Sequence, residues 1–250
     1  MELHLQALPH FTPRPGPLLL VVADGVGVAP DVASNAVAPA HIPHLDALTS
    51  SDLATTLRAH GTAVGLPSDD DMGNSEVGHN AMGAGRIFAQ GAKLVNRALA
   101  DGSLFASDVW REAVAAGRAG GTLHFLGLHS DGNVHSHIAH LHQMLARAAV
   151  EGVAKARVHI LLDGRDVAAR SALTYITATE KVLADLRAAH GIDYRIASGG
   201  GRMTITMDRY GADWDMVARG YHCHTHGAGR PFRSAAEAVT PTRMATSAKL

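Results

Sequence analysis

Several polar residues in this chain have the types and the spacing that phosphate or metal chemistry requires. The richest stretch is 69–80, where Ser75 stands at or next to a predicted helix start. The free N–H groups and the dipole of a helix N-terminus favour an anion, and a bound metal ion can turn a serine hydroxyl into a nucleophile. Ser75 is therefore a candidate phosphoryl acceptor. An ordinary helix cap at Asn74 or Ser75, with the aspartates in a solvated loop, is the alternative.

Asp24 is a second candidate, because it follows an apolar run at 17–23 and precedes Gly25. A carboxylate at the end of a strand can bind a divalent metal ion, and an adjacent glycine lets a ligand approach the backbone closely. Asp-Gly is also a common turn dipeptide, so a plain turn explains the same residues.

Three further loops follow predicted strands and carry side chains that can hold a phosphate or a carboxylate. They contain His135, then Arg165 and Asp166, then Arg202 and Arg209. An arginine grips such anions with two N–H groups, and a neighbouring carboxylate can orient it. Each loop alone also fits surface ion pairs or capped turns. Together, at the carboxyl ends of parallel strands, they predict an anion-binding face.

Residues 222–226, His-Cys-His-Thr-His, resemble a ligand cluster for a soft metal. Alternation would place His222, His224 and His226 on one face of an extended segment. No second ligand cluster follows at the spacing of a zinc module, so a solvated polar loop is the preferred interpretation.

The elements that must position these residues alternate between strands and helices. Apolar runs of strand length predict strands, and apolar residues at helical spacing predict helices. The predicted strands are 17–23, 54–58, 122–128, 157–162 and 194–197; the predicted helices begin near 74 or 75 and cover 89–99, 136–150 and 172–189; and 61–74 and 199–201 are predicted loops. The pattern is typical of α/β proteins with mainly parallel sheets and flanking helices. The run at 17–23 is expected to be buried on both faces.

The composition excludes several classes of protein. The chain has 250 residues, 46% of them hydrophobic and 18% charged, with a net charge of -1. Such a balance gives no basic field for nucleic acid or an anionic membrane. No apolar run can span a bilayer, the N-terminus lacks a secretory signal, and Cys223 as the single cysteine excludes an internal disulfide. We expect a cytoplasmic protein with neither nucleic-acid nor membrane partners.

The motifs in their order resemble the cofactor-independent (2,3-bisphosphoglycerate-independent) phosphoglycerate mutases of the alkaline-phosphatase-like superfamily. The resemblance extends from about Pro17 to about Val239. It is carried by DGxG at 24–27, VGLP at 64–67, MGNSEVGH at 72–79, GAGR at 83–86, SDGxVHSH at 130–137, DGRD at 163–166 and GRxxxxMDR at 201–209. No single motif is specific, whereas the ordered set is very specific.

The resemblance implies conversion between 3-phosphoglycerate and 2-phosphoglycerate through a transiently phosphorylated serine. It implies two divalent metal ions, typically manganese, and no 2,3-bisphosphoglycerate. By the resemblance, Ser75 is the phosphorylated serine and a metal ligand, and Asp24 is another metal ligand. The substrate-binding positions it implies are His135, Arg165, Asp166, Arg202 and Arg209.

The resemblance also implies a discontinuous phosphatase-like domain with a phosphotransferase domain inserted into it. Residues 1–87 correspond to the first segment of the outer domain, and 88–250 to most of the inserted domain. Members of this family continue further and supply more metal ligands, so we expect the chain to be truncated and inactive alone. The strand at 17–23 is then expected to expose its apolar faces, with poor solubility.

Other functions fit the same residues. The chain could be a non-catalytic anion-binding remnant, or one half of a split enzyme with a second half as its partner. Another phosphate-ester enzyme of the superfamily, such as a phosphatase, is disfavoured by the motifs around Ser75 and His135.

Overall fold

The computed structural model describes residues 9–12, 14–23, 25–26, 29, 33–206, 211 and 213–240. The chain divides into two compact units, one up to Leu57 and the other from Arg58 onward. In the described part of the first unit, one helix forms, α1 (Pro43–Thr49). Its first residue is a proline, whose fixed φ suits the first helical turn and whose missing amide would have no partner there.

The apolar run at 17–23 forms no strand and lies on the surface. The side chains of Leu18 and Leu19 are 96% and 83% exposed. The prediction of a strand buried on both faces is therefore wrong, and so is the prediction of a strand at 54–58. A strand needs hydrogen-bond partners on a neighbouring strand, and the described part of this unit offers none. The exposure itself agrees with the expectation that the apolar faces of the run are open.

The second unit is built on a three-stranded sheet in which both pairs of neighbours are parallel. Its strands, in spatial order, are β1 (Leu123–Leu128), β2 (Lys155–Leu162) and β3 (Asp193–Gly201). The register shifts once, between Val158 and His159 of β2. The predicted α/β architecture with a parallel sheet is confirmed, with the strand starts moved by one or two residues.

The named helices of this unit are α2 (Ser75–Ala84), α3 (Gly91–Ala100), α4 (Asp108–Arg118), α5 (Ile138–Val150), α6 (Ala172–His190), α7 (Arg202–Ile205) and α8 (Trp214–His226). A 3₁₀ turn covers Gly61–Val64, and residues 235–240 are also helical. The four predicted helices correspond to α2, α3, α5 and α6. Helix α4 was missed, although Ser107 is a good cap whose Oγ accepts the Trp110 amide hydrogen at 3.3 Å.

The core lies between one face of the sheet and the helices that cover it. Alternate residues of β2 point into it, as the two-residue period of a strand requires. The main contributors are Trp110 and Val114 of α4, Leu145 and Ala148 of α5, Ala156, Val158 and Ile160 of β2, and Ile176 and Leu183 of α6. Full burial of a side chain such as Leu145 stabilises the fold by about 1.5–3 kcal/mol.

The glycine run at 199–201 ends strand β3 and is not the predicted loop. Gly199 pairs with Ile160, and a Cβ at Gly199 would lie 2.6 Å from the Ile160 carbonyl oxygen. The missing side chain therefore lets β3 approach β2 closely, which the loop interpretation of three glycines overlooked.

The histidines of 222–226 lie in helix α8, so both the extended segment and the solvated loop are wrong for these residues. His222 and His226 are one turn apart, with their Nδ1 atoms at 3.2 Å. His224 is directed elsewhere, since its Nδ1 lies 2.8 Å from Ser198 Oγ in β3. The three histidines therefore do not share a face. Within the described ranges, none of the helices has the length and apolar character needed to cross a membrane.

Candidate functional site

Three segments meet at the carboxyl edge of the sheet, one beyond the end of each strand. Ser130 follows β1, Asp163 follows β2, and Arg202 follows β3. Because the strands are parallel and adjacent, their carboxyl ends lie side by side. The topology thus brings together residues that are about 30 to 70 positions apart in the sequence.

The carboxylate of Asp163 joins the three segments. Its Oδ2 accepts a hydrogen bond from Ser130 Oγ at 2.6 Å, and its Oδ1 accepts one from Arg202 Nη1 at 2.9 Å. The same Oδ1 also accepts the backbone amide hydrogens of Arg165 and Asp166, each at 3.1 Å. Four donors from three segments of the chain therefore converge on one carboxylate.

The charges in this cluster stabilise one another. Burial disfavours the ionised form of Asp163, but hydrogen bonds from Ser130, from the two backbone amides and from Arg202 outweigh it and lower the pKa to about 2. Arg202 Nη1 also donates to Asp166 Oδ2 at 2.6 Å. The side chains of Arg202 and Asp163 are 1% and 2% exposed, so this is a buried ion cluster. Removing one partner of a buried ion pair typically destabilises a protein by about 3–5 kcal/mol.

Arg165 and His135 are the exposed cationic or titratable members of the site. Arg165 follows Asp163 by two residues, and its backbone is fixed by the bond to that carboxylate. His135 lies in the loop after β1, where the next residue, Ser136, donates its hydroxyl hydrogen to the Leu128 carbonyl at 2.5 Å. Both side chains are exposed; the Arg165 backbone is held by Asp163, and the loop of His135 is held to β1 by the neighbouring Ser136 hydroxyl.

The segment that precedes Ser75 contacts the same edge of the sheet. Asn133 Nδ2, in the His135 loop, donates to Asp71 Oδ1 at 2.5 Å. Burial disfavours the ionised form of Asp71, but hydrogen bonds from Asn133 and from Ser68 lower its pKa. The contact couples the polar stretch around Ser75 to the loop that carries His135.

Ser75 is the first residue of α2, and Asn74 is its cap. The Asn74 side chain accepts the Val77 amide hydrogen at 3.0 Å, so the cap function falls to Asn74 and the Ser75 hydroxyl is not used for it. Ser75 is exposed, and its Oγ lies 3.2 Å from His79 Nδ1, which lies 2.7 Å from the Ser75 carbonyl oxygen. The hydroxyl is thus presented at a helix N-terminus.

The described residues do not by themselves fit a divalent metal ion. Among them, no three His, Cys, Asp or Glu side chains are grouped closely enough to hold one. Asp24, a predicted ligand, lies outside the described residues, as does the predicted substrate residue Arg209. The contacts of Ser75 give one hydroxyl and one imidazole, fewer ligands than such an ion requires.

A cleft of about 390 Å³ lies along β1 next to the site. His135, His137 and His140 line it together with apolar side chains such as Met144. His129 also lines it and is buried, and its Nε2 has no hydrogen-bond partner in the described structure. Burial is the main reason that the pKa of His129 falls to about 4, so the cleft has a neutral imidazole in its wall at pH 7.

The structure brings together Arg165, Asp166 and Arg202, three of the residues singled out in the sequence, around the carboxylate of Asp163. Sequence reasoning missed Asp163, Ser130 and the link from Asn133 to Asp71. The available signal for Asp163 was its place directly after a strand. Because Asp163 precedes Gly164, an ordinary Asp-Gly turn explained it equally well.

Comparison with known proteins places these features in a family context. A family model described as the BPG-independent PGAM N-terminus matches residues 95–248. The chain is 52% identical over 236 residues to a probable 2,3-bisphosphoglycerate-independent phosphoglycerate mutase of Leptospira interrogans serovar Lai, covering 93% of this chain and 43% of that protein. It is 51% identical over 228 residues to the 2,3-bisphosphoglycerate-independent phosphoglycerate mutase of Trypanosoma brucei brucei, covering 90% and 41%.

A solved structure gives the same result. The phosphoglycerate mutase of Leishmania mexicana, crystallised at low cobalt concentration, superposes with a TM-score of 0.80 at 46% identity. The match covers 88% of this chain and 40% of that one. The chain therefore spans about two fifths of the length of these relatives.

Proposed function

The chain belongs to the family of 2,3-bisphosphoglycerate-independent phosphoglycerate mutases, and we propose that its residues serve the interconversion of 3-phosphoglycerate and 2-phosphoglycerate. The proposal rests chiefly on the bond between Asn133 Nδ2 and Asp71 Oδ1, which couples the segment of the candidate nucleophile to a substrate-binding loop. Phosphoryl transfer depends mainly on positioning and on charge stabilisation, so such a link is what the reaction needs.

We assign substrate binding to His135, Arg165, Asp166, Arg202 and Arg209. A phosphoglycerate carries a phosphate and a carboxylate, and arginine binds both with paired N–H donors. Arg165 supports this role because its side chain is exposed while its backbone amide is fixed on Asp163. Arg202 is buried and paired with two carboxylates, so it supports the substrate face from behind by holding Asp163 and Asp166.

We assign the covalent step to Ser75. Its Oγ attacks the phosphorus of bound 3-phosphoglycerate, the bond from phosphorus to O3 breaks, and the proton lost by Ser75 is balanced by the one that O3 gains. The glycerate then turns in the site, and its O2 attacks the phosphoserine while the bond to Oγ breaks; the proton lost by O2 is balanced by the one that Ser75 Oγ regains. This sequence needs no 2,3-bisphosphoglycerate. The α2 N-terminus, next to Ser75, favours the negative charge of the phosphoserine.

The proposal includes two bound divalent metal ions, with manganese as the expected metal. Asp24 and Ser75 would be the ligands that this chain provides. Bound metal ions would supply charge stabilisation for the phosphoryl group. The relatives are more than twice as long as the segment they share with this chain, so we propose that the corresponding remainder acts as the partner that completes the site. The division at about residue 87 and a cytoplasmic location stay predictions.

The test is a mutase assay on the purified chain with 3-phosphoglycerate and manganese, without 2,3-bisphosphoglycerate. The assay is run with the chain alone and with the remaining part of the Leptospira relative added as a second polypeptide. We expect turnover in the mixture and none with the chain alone. In the mixture, Ser75→Ala should abolish turnover and phosphoserine detected by mass spectrometry, whereas the exposed-site control Ser103→Ala should retain both.

Two results would contradict the proposal. Turnover that survives Ser75→Ala would remove Ser75 from the covalent step. Turnover by the chain alone would show that no partner is needed to complete the site.

A further inference from the structure

The carboxylate of Asp163 stands at the centre of the site without being one of the residues assigned to bind substrate. We propose that Asp163 is a positioning residue, which holds Arg165, Asp166 and Arg202 in the arrangement that receives the phosphoglycerate. The identity of the ligand rests on the function proposed above. The role of Asp163 rests on its own contacts.

Those contacts use both oxygens of the side chain. Oδ2 is engaged by Ser130 Oγ, and Oδ1 is engaged by Arg202 Nη1 and by the amides of Arg165 and Asp166. One group therefore fixes the relative positions of the segments beyond β1, β2 and β3.

The burial of Asp163 shows that it positions other residues and does not bind the substrate directly. The Asp163 side chain is buried, so a substrate cannot reach it while the cluster is intact. Arg165 is exposed two residues later in the same turn. The buried carboxylate therefore acts on the ligand through Arg165, the exposed neighbour.

The negative charge of Asp163 is as important as its shape. Arg202 Nη1 donates to Asp163 and to Asp166, so its guanidinium lies between two carboxylates. Asparagine at position 163 would keep nearly the same volume and one acceptor, but it would remove one of these charges. The Arg202 guanidinium would then be attracted mainly to Asp166. Arg202 and Asp166 would shift together, away from the place where the turn after β2 holds them.

Asp193 provides a matched control at the opposite end of the same sheet. It starts β3 and accepts from two arginines, Arg157 Nη2 at 2.6 Å and Arg195 Nε at 2.5 Å. Both are carboxylates paired with arginine, but the Asp193 side chain is 37% exposed against 2% for Asp163. Asp193→Asn therefore controls for removing an arginine-paired carboxylate away from the site, and not for removing a buried one.

The experiment compares the wild-type chain with Asp163→Asn and Asp193→Asn at a temperature where all three are folded. Hydrogen exchange followed by mass spectrometry reports on the segments 129–138 and 163–170, and calorimetry gives the affinity for 3-phosphoglycerate. For Asp163→Asn we expect faster exchange in both segments and affinity weaker by at least about tenfold, the usual scale for losing a charge-assisted hydrogen bond. Asp193→Asn should change neither.

The outcomes separate this inference from the proposed function. Unchanged exchange in both segments would overturn the positioning role, and so would faster exchange with wild-type affinity. If the wild-type chain alone binds no 3-phosphoglycerate, the affinity comparison is made on the mixture with the Leptospira remainder, and absence of binding there contradicts the proposed function but not the exchange result. If Asp163→Asn does not fold, Ser130→Ala removes one donor and should give smaller changes in the same direction; no change in that variant overturns the role.

Discussion

The backbone amide of His129 donates to the carbonyl oxygen of Leu161 at 2.9 Å, which extends the pairing of the first two strands one residue beyond the end of β1. This extension carries the imidazole into the interior, where the residue is 2% exposed. The folded chain therefore holds His129 as a neutral group.

The buried His129 should make the folded chain less stable in mild acid. Its pKa falls from 6.5 to about 4 on folding, mainly by burial. Between these values the unfolded chain binds the extra proton, so stability present above pH 6.5 is lost as pH falls through 4. The contribution is about 3 kcal/mol. In urea unfolding, the free energy of unfolding should fall less between pH 7 and pH 4 for His129→Gln than for wild type. The exposed-site control His190→Gln should behave as wild type.

Asp163 gives a second, more acidic window. Its folded pKa of about 2 lies below the ordinary 3.8, so its stabilising contribution is complete above pH 4 and is lost as pH falls toward 2. The contribution is about 2 kcal/mol at neutral pH. The stability difference between wild type and Asp163→Asn in urea should therefore shrink from pH 5 to pH 2.5. A constant difference across this range would contradict the assigned ionisation.

The exposed apolar run at 17–23 should govern the solubility of the chain. Contiguous exposed apolar side chains promote association, whereas single ones are common on protein surfaces. We expect Leu19→Lys to raise the concentration at which static light scattering detects association. Leu53→Lys is the matched control, since Leu53 is 95% exposed but stands outside the run. Equal effects of the two substitutions would show that the run itself is not the cause.

The contact between α7 and α8 should depend on Gly220. A Cβ at this position would lie 1.8 Å from the Ile205 carbonyl oxygen, a distance that forces the helices apart. Gly220→Ala should lower the stability by about 1–3 kcal/mol in thermal unfolding. Gly83→Ala is the control, because a Cβ there meets nothing within 4 Å and removing a helical glycine stabilises by about 0.5–1 kcal/mol.

The sheet and its connecting helices could be predicted because their signals are local. The apolar residues of α5 recur at helical spacing, and the central part of a strand such as β2 is a short apolar run between turn residues. The run at 17–23 has the same local signal but no neighbouring strand in the described structure. An apolar run shows that residues favour burial, and it does not show what would cover them.

The candidate site was predictable in part for a similar reason. Arg165, Asp166 and Arg202 follow strands, and the parallel topology places such residues at one edge. The role of Asp163 depends on donors from Ser130 and Arg202, which are 33 and 39 positions away along the chain. Local spacing carries no information on such contacts. Likewise, alternating histidines at 222–226 fit an extended segment as well as a helix, and the contact of α8 with β3 decides between them.

The order of the strands along the sheet has a consequence for how this unit acquires its structure. Each strand pairs with the one that precedes it in the chain, and one helix bridges each pair. Each pairing within the described sheet closes a loop of more than thirty residues, but the partner strand is always the next one to be made. During synthesis, β1 and β2 can pair before β3 leaves the ribosome. The sheet can thus grow in the same direction as translation.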